Sequence, residues 1–347
     1  MLPTRPGQRT LICVLDWGLG HASRSLALAD RLEERGEKTF FASCGRAKKF
    51  IEAERPGTLV HELPAYDVTY PTRSMPLNVA MQLPRWLRTI WRERRCSERL
   101  VEKLGIDRIV SDNRFGCYLP GTPSVFLTHQ LHPITHNRAV SWLYRRYLRR
   151  FDGFWVPDHP APEDRVSGKL SSPGGYQNVR YVGPLSRLTR GLAETAHPGN
   201  QPEPSATPPS LPELRVLALL SGPEPMRTQL ERIVISQLRD LPGRHVLVRG
   251  LPGGAAPPPA HPPNITVHNF ADATLLSRLL PTANRIVCRS GYSTLMDVYA
   301  VTEGRKLILI PTPGQTEQIY LAAREARRIG CRFVLKQEDL DLSDMWA

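Results

Sequence analysis

A glycine-rich segment near the amino terminus, residues 16–21, contains the residue types of a proton-transfer or phosphate-binding site. His21 ends this segment, and its imidazole titrates near neutral pH, so it can act as a base or contact a phosphate. Gly18 and Gly20 let the backbone approach a ligand closely, and Arg24, one helical turn later, can pair with an anionic oxygen. The alternative interpretation is a glycine-rich turn in which His21 only caps the following helix.

This segment does not have the pattern of a dinucleotide-binding loop. Ser23 stands where the GxGxxG pattern requires its third glycine, and residues 41–43, at the end of the next predicted strand, include no acidic residue for a ribose. The sequence also has no P-loop, HExxH, GxSxG or EF-hand motif. These observations argue against NAD and against the chemistries that the other motifs serve.

Two further polar segments of the first half follow predicted strands. Asp112, Asn113 and Arg114 follow one strand, and His129 follows the next. Either segment can face an acceptor, and we predict Asp112 as a second catalytic group, with the other three residues contacting phosphate or acceptor. The alternative is a buried, hydrogen-bonded Asp112 or His129 without a catalytic role.

In the second half, the segment 289–294 lies between a predicted strand and a predicted helix. Backbone N–H groups and hydroxyls at a helix amino terminus are suited to bind a diphosphate. The candidate residues are Arg289, Ser290, Gly291, Tyr292, Ser293 and Thr294. Asp297 lies one turn further, where it can accept hydrogen bonds from ribose hydroxyls. The alternative is a common turn with a Ser/Thr helix cap, followed by a solvated aspartate.

Two more loops are candidates for the same binding site. The segment 311–318 again joins a strand to a helix, and its polar side chains can bind sugar hydroxyls. Its candidate residues are Gln315, Thr316, Glu317 and Gln318. Ser221 and Gly222 follow the first strand of the second half and extend the set. The alternative for 311–318 is a Pro/Gly turn with an ordinary glutamate at a helix amino terminus.

Apolar strands alternating with amphipathic helices must position these loops, which is the pattern of an α/β protein with parallel sheets. The strands predicted in the first half are 10–15, 39–42, 106–110, 124–128 and 154–156, and the helices are 22–35, 79–104 and 134–150. The second half predicts strands 215–220, 245–248, 265–268, 285–288 and 306–310, with helices 226–239, 271–279, 294–301 and 317–329.

We therefore expect two Rossmann-like domains that face a ligand cleft at the carboxyl ends of their strands. The proline-rich stretch 197–212 has no apolar periodicity and is typical of an interdomain linker. The predicted boundaries are an amino-terminal domain at 1–185, a linker at 186–213 and a carboxyl-terminal domain at 214–347.

Composition and length are ordinary for a folded protein of two domains, with 347 residues of which 41% are hydrophobic. Six scattered cysteines without a CxxC pair indicate reduced thiols rather than a disulfide framework or a zinc site.

No apolar run approaches the ~18 residues of a membrane span. The first apolar run, 11–15, is too short for a signal-peptide core. We expect a cytoplasmic protein.

The net charge of +13 is unevenly distributed, with +10 in residues 1–185 and +3 in residues 186–347. A basic amino-terminal half predicts an anionic partner such as a phosphorylated lipid, a membrane surface or a nucleic acid. Segments 82–100 and 138–151 combine six and five arginines, respectively, with aromatic residues. Such helices suit an anionic membrane interface, and solvated helix faces are an equally weighted alternative. Nucleic acid is less favoured because no recognised binding module accompanies the charge.

Taken together, these loops resemble those of GT-B glycosyltransferases, in particular glycosyltransferase family 28, which makes peptidoglycan lipid II by N-acetylglucosaminyl transfer. The resemblance covers most of the chain. It is carried by GLGH at 18–21, CRSGYSTLMD at 288–297 and PTPGQTEQ at 311–318. GLGHxxR at 18–24 is also similar to a UDP-sugar hydrolase of nonulosonate biosynthesis, where the histidine activates water.

The family resemblance implies that the carboxyl-terminal domain, 214–347, is the donor domain and holds a UDP-sugar, and that the amino-terminal domain, 1–185, is the acceptor domain. By position, 290–294 would seat the diphosphate and Asp297 would hold the ribose. Glu317 and Gln318 stand where the family has a glutamine pair touching the sugar, and Glu317 departs from that pattern. The family's GGTGGH is replaced by DWGLGH, and its glycine-rich loop is only partly kept at 221–223.

The function that we predict is an inverting, metal-independent transfer of a sugar from a UDP-sugar to a membrane-associated or phosphorylated acceptor, with inversion implied by the family. No cofactor is expected besides this co-substrate, because a helix dipole can replace a metal ion. Peripheral association with the inner face of the plasma membrane is part of this hypothesis. The alternatives are UDP-sugar hydrolysis and a non-catalytic module that binds nucleotide-sugar or anionic lipid.

Overall fold

The structure is a computed structural model that describes residues 5–67, 75–134, 138–188, 214–252, 257–302, 304 and 306–343. The chain divides into two compact units, Met1–Pro184 and Leu185–Ala347. The predicted linker begins with three residues, 186–188, that belong to the second unit, and the rest of it lies outside the described residues.

The described part of the first unit contains a seven-stranded parallel sheet of order β3-β2-β1-β4-β5-β6-β7. Its strands are β1 (Arg9–Val14), β2 (Lys38–Ser43), β3 (Val60–Glu62), β4 (Arg108–Asp112), β5 (Ser124–Leu127), β6 (Gly153–Val156) and β7 (Val179–Tyr181). Its helices are α1 (Leu19–Glu33), α2 (Gly45–Glu54), α3 (Met75–Leu104) and α4 (Arg138–Leu148). The strand order reverses between β1 and β4, as in doubly wound folds whose ligands bind at that point.

The described part of the second unit contains a six-stranded parallel sheet of order β10-β9-β8-β11-β12-β13. Its strands are β8 (Leu214–Leu219), β9 (Arg244–Val248), β10 (Ile265–His268), β11 (Arg285–Cys288), β12 (Leu307–Leu309) and β13 (Arg332–Phe333). Its helices are α5 (Met226–Asp240), α6 (Ala273–Thr282), α7 (Tyr292–Val301) and α8 (Thr316–Ile329). Here the order reverses between β8 and β11.

Each unit buries its own apolar core between sheet and helices. In the first unit, Leu11 and Cys13 of β1 pack with Ile109 of β4 and with Cys117. In the second unit, Val216 and Ala218 of β8 pack against α5. Buried strands on both faces are characteristic of parallel sheets, and they explain the nearly continuous apolar runs in the sequence.

The structure confirms the predicted fold class of two Rossmann-like α/β units, and it corrects several element boundaries. Strand 106–110 is shifted to 108–112, because Ile106 closes the turn after α3 and Asp112 pairs in register with Val14. Helix 134–150 is shorter, at 138–148, and its predicted residues 135–137 lie outside the described residues. Four elements were not predicted from the sequence, because they are short and have weak periodicity. They are α2, β3, β7 and β13.

Candidate functional site

The predicted catalytic residues of the first unit meet at the point where the strand order reverses. β1 and β4 are neighbours, and Val14 pairs with Asp112 at their carboxyl ends. Gly18 caps the following helix with φ of 120°, a conformation that favours glycine, and His21 lies in the first turn of α1. The parallel crossover therefore brings two residues that are 91 positions apart into contact.

Asp112 is the centre of a buried polar cluster. Its side chain is fully buried, and its Oδ1 lies 2.9 Å from Nδ1 of His21. Arg24 donates to it from Nε at 3.1 and 2.9 Å and also from Nη2, and Ser25 Oγ donates to Oδ2 at 3.0 Å. A carboxylate with this many donors is held in one orientation.

These contacts set the charges of the pair. Burial alone would raise the pKa of Asp112, but Arg24 and then His21 lower it well below its usual range, so it is ionised. Burial lowers the pKa of His21 below 6.5, and Asp112 only partly opposes this effect. At neutral pH the site is thus a carboxylate beside a neutral imidazole. With the proton on Nδ1 donated to Asp112, Nε2 has a lone pair for a substrate proton.

His129 joins the same cluster through Arg24. Its Nδ1 lies 2.8 Å from Nη1 of Arg24, which only donates, so His129 accepts there and carries its proton on Nε2. Both side chains are buried. Arg24 and His129, which the sequence predicted as phosphate or acceptor ligands, are therefore engaged with the predicted catalytic residues.

Arg114 has a structural environment. It is fully buried, and it donates to the carbonyl oxygens of Val14 and Pro64 and to Glu93 at 2.6, 2.9 and 2.8 Å, respectively. These bonds tie α3 to the ends of the strands. Asn113, between Asp112 and Arg114, turns the chain with φ of 56°. The structure therefore gives Arg114 internal partners where the sequence predicted a phosphate or acceptor ligand.

Two residues near this site, Ser25 and Trp17, were not predicted from the sequence. Ser25 is one of the donors to Asp112. Trp17, inside the glycine-rich segment, is 53% exposed and contacts Trp86 of α3 edge to face, with ring centroids 6.1 Å apart. A tryptophan beside the glycines was a signal that could have been used, because a large exposed aromatic next to a catalytic loop favours a ligand surface.

In the second unit, three residues follow adjacent strands. The sequence predicted two of them, Gly222 and Arg289, as binding residues, and the structure adds Thr312. Gly222 follows β8, Arg289 follows β11 and Thr312 follows β12. Arg289 is fully buried and donates to the carbonyls of Pro311 and Met226 at 3.0 Å each, and to Gln337 at 2.7 Å. Burial lowers its pKa to about 10, so it stays charged at neutral pH.

Two buried polar atoms of this group have no hydrogen-bond partner among the described residues. They are Arg289 Nε and Thr312 Oγ1. A Cβ on Gly222, whose φ is 104°, would lie 3.3 Å from Thr312 Oγ1 and 3.9 Å from Arg289 Nε. The missing side chain of Gly222 therefore leaves space beside one unpaired donor and one unpaired hydroxyl, which is suited to an anionic or polar oxygen.

The loops before α7 and α8 are joined to each other. Ser290 Oγ donates to the carbonyl of Gln318 at 2.8 Å, and Gln318 Oε1 accepts from the backbone of Thr312 at 2.8 Å. Gln318 Nε2 donates to Gln315 Oε1 at 2.6 Å. Among the remaining predicted residues of the second unit, Tyr292 is buried and Thr316 is exposed. The others are half-buried: Ser221, Gly291, Ser293, Thr294 and Glu317.

Asp297 is not a solvated helix residue. Its Oδ1 accepts a 2.7 Å hydrogen bond from Ser186 Oγ, and its Oδ2 lies 3.9 Å from Nε of Arg187. Both partners come from the first residues of the second unit. The carboxylate is thus oriented within this unit.

The described residues include no group of three or more His, Cys, Asp or Glu side chains arranged to hold a metal ion. Among the same residues, none of the helices combines the length and apolar character needed to cross a membrane.

No protein-family model matches the sequence. An uncharacterized glycosyltransferase of Methanosarcina mazei is 21% identical over 337 residues, covering 89% of this chain and 81% of the relative. A second, from Methanosarcina acetivorans, is 21% identical over 331 residues with the same coverage.

Solved glycosyltransferases share the fold. SnogD from Streptomyces nogalater has a TM-score of 0.62 and 18% identity, covering 96% of this chain and 88% of that one. The spinosyn rhamnosyltransferase SpnG complexed with thymidine diphosphate has a TM-score of 0.63, 13% identity and the same coverage. MurG of Acinetobacter baumannii has a TM-score of 0.51 and 12% identity, covering 97% and 87%. The chain therefore has the GT-B fold of glycosyltransferases.

Proposed function

We propose that this protein is an inverting glycosyltransferase that moves a sugar from a nucleoside diphosphate sugar, with UDP as the nucleotide, to the hydroxyl of an acceptor. The observation that carries the proposal is the 2.9 Å contact between His21 Nδ1 and the buried Asp112 carboxylate. An oriented imidazole of this kind is a general base. The glycosyltransferase names of the relatives and of the structural neighbours support the same reaction class.

The reaction follows from the position of the base. Nε2 of His21 takes the proton of the acceptor hydroxyl while the hydroxyl oxygen bonds to the anomeric carbon. The bond from that carbon to the diphosphate breaks, and the diphosphate leaves with the electron pair. Asp112 stabilises the imidazolium that forms. A single displacement from the opposite side inverts the anomeric configuration.

We assign donor binding to the second unit. Arg289 Nε and Thr312 Oγ1 beside Gly222 provide unpaired polar atoms for the diphosphate, and the amino terminus of α7 adds its dipole. Asp297 would hold the ribose, and Gln315 and Gln318 would contact the sugar. SpnG was solved with thymidine diphosphate, which supports a nucleoside diphosphate as the ligand class.

We also propose that the acceptor is presented at an anionic membrane surface. Met81, Leu87 and Trp91 of α3 and Val140 and Trp142 of α4 are exposed. Exposed arginines lie on the same helices, including Arg145 and Arg146. Apolar and basic side chains on one helix are typical of interfacial helices. Because Arg24 and Arg114 are bonded internally, the exposed arginines are the better candidates for lipid phosphates.

The first test is parallel calorimetric titration with UDP, dTDP, GDP, CDP and NAD. Selective binding of UDP supports the proposal, whereas binding of none of them contradicts it.

The second test measures turnover with acceptor candidates from lipid extracts. His21→Ala should lower turnover about 10²–10⁴-fold with little change in UDP affinity. Wild-type turnover in His21→Ala would remove the base assignment.

Two other outcomes would favour one of the alternative functions, which are UDP-sugar hydrolysis and binding without catalysis. Release of free sugar and UDP without any acceptor, at the full rate, would favour the hydrolase. Tight UDP binding without turnover on any acceptor would favour the binding module.

The membrane proposal is tested by co-sedimentation with vesicles of anionic or neutral lipid. Reversing the charges with Arg145→Glu and Arg146→Glu should reduce binding to anionic vesicles. The matched control reverses two exposed arginines of the second unit, Arg239→Glu and Arg278→Glu. Equal loss of binding in both double variants would reduce the effect to net charge and contradict a docking surface on α4.

A further inference from the structure

Arg24 contacts more than the carboxylate of Asp112, because its guanidinium also lies beside two histidines. Its side chain is only 2% exposed. Besides its bonds to Asp112, Nη1 lies 2.8 Å from Nδ1 of His129 and Nη2 lies 2.8 Å from Nδ1 of His21. One guanidinium therefore contacts both histidines and the carboxylate of the cluster.

Nδ1 of His21 consequently has two partners of opposite character. Asp112 Oδ1, at 2.9 Å, can only accept, and Arg24 Nη2, at 2.8 Å, can only donate. With its proton on Nδ1, the ring donates to Asp112 and offers a lone pair at Nε2. With its proton on Nε2, the ring accepts from Arg24 at Nδ1. Each neutral tautomer of His21 is therefore hydrogen-bonded to one of these partners and opposed by the other, so that Asp112 and Arg24 favour opposite tautomers.

The protonated ring is the state that Arg24 disfavours most. A proton on Nδ1 stands against the N–H of a guanidinium 2.8 Å away in the neutral Nδ1 tautomer and in the imidazolium, and the imidazolium adds the repulsion between two positive charges. The charged and titratable groups that face His21 are Arg24 from α1, Asp112 from β4 and His129 after β5. Of these, Asp112 favours the protonated ring, whereas Arg24 opposes it.

We propose that Arg24 is a positioning residue that keeps His21 neutral and, by donating to Nδ1 in competition with Asp112, keeps both neutral tautomers populated, so that Nε2 can accept a proton and then release it. In the transfer reaction, Nε2 takes the acceptor proton, and repulsion from Arg24 drives its loss to solvent, which restores the neutral ring. This catalytic consequence rests on the proposed function. The control of charge and tautomer does not, because it concerns the protein without substrate.

The test is NMR of the ring nitrogens and carbons of His21 in the ligand-free full chain, titrated with acid. In the wild type we expect averaged ring-nitrogen shifts from two tautomers and a pKa below 6.5. In Arg24→Met the ring should be fixed with its proton on Nδ1, and its proton affinity should rise about tenfold or more, since only Asp112 then contacts Nδ1. Arg24→Lys, which keeps the charge, should raise the proton affinity less.

The matched control is Arg31→Met, the same substitution in the same helix. Arg31 donates to the carbonyls of Val182 and Pro184 and has no part in the cluster. It should leave the titration of His21 unchanged. A folded Arg24→Met with the wild-type pKa and tautomer of His21 would overturn the inference. If that variant does not fold, the wild type decides, because a single fixed tautomer or a pKa above 6.5 would overturn it equally.

Activity then separates the two proposals. The acidic limb of the pH–rate profile of Arg24→Met should move to higher pH by the shift that NMR measures. An NMR response as expected in a protein without transferase activity would leave the inference standing and contradict the proposed function. Transfer activity in a protein whose His21 does not respond to Arg24→Met would support the proposed function and contradict the inference.

Discussion

At the scale of single residues, the free energy of the site depends on the pairing of Asp112 with Arg24. Both side chains are buried, and each is the main charge partner of the other. Such a pair contributes little relative to an apolar replacement, but removing one partner leaves an uncompensated buried charge. The buried cluster around Asp112 is therefore also a condition for the stability of the first unit.

Asp112→Asn should reduce the free energy of unfolding by about 3–5 kcal/mol, because it leaves Arg24 charged and buried without its carboxylate. Urea unfolding of the purified variant measures this change. The control is Glu62→Gln, which removes the exposed ion pair with Lys48 and should cost less than about 1 kcal/mol. Equal effects of the two substitutions would contradict the assigned role of burial.

The stability of the protein should fall on acidification in two windows. The pKa of His21 and that of Asp112 are both lowered in the folded chain, so the unfolded chain binds more protons as the pH falls. His21 contributes as the pH falls through 6.5, and Asp112 contributes as it falls through 3.8. Urea midpoints across this range measure the effect. His21→Gln should reduce the loss of stability in the upper window without abolishing it, because burial also lowers the pKa of His61 and of His245. A wild type that gains stability there would contradict the assignment.

At the scale of elements, the loops to which we assign donor binding depend on a close approach between neighbouring strand ends. Gly222 after β8 lies against Thr312 after β12 and near Arg289 after β11. The parallel pairing of these strands in register places their carboxyl ends together. Helices α7 and α8 then begin at those ends, so their amino termini are adjacent to the same space.

Gly222→Ala should therefore impair both binding and stability. A Cβ would enter the space beside Thr312 Oγ1, and a φ of 104° is strained for alanine, which costs about 1–3 kcal/mol. We expect weaker UDP binding by calorimetry. Gly330→Ala is the control, because it also has a positive φ, at 69°, but nothing lies near its Cβ. Equal loss of UDP affinity in both variants would assign the effect to strain alone.

At the scale of the whole molecule, each of the two units has its own sheet and its own core. A ligand that binds only the folded second unit stabilises that unit by mass action, by about 2.7 kcal/mol at 100 times its Kd. Scanning calorimetry should show UDP raising one unfolding transition and leaving the other in place. Asp297→Asn should reduce the shift. A shift of the other transition only would contradict donor binding by the second unit.

Much of this architecture could be predicted from local pattern. Apolar runs followed by Gly- or Ser-rich turns and amphipathic helices correctly indicated strands β10 and β11 and the start of α5. The short β3, β7 and β13 were missed because a strand of two or three residues has no measurable period, and its pairing is decided by its neighbour in the sheet. The shift of β4 had the same cause, since register with β1 decided its bounds.

The sequence by itself determined the fold class and the loops on which to look for chemistry, because periodicity and turn residues are local properties. It did not determine what each polar side chain does. Arg24, Arg114 and His129 have the types and positions of ligand-binding residues, but the structure gives each of them partners about 20 to 105 positions away. Only tertiary structure decides such pairings, because a parallel crossover brings strand ends together that the chain keeps far apart.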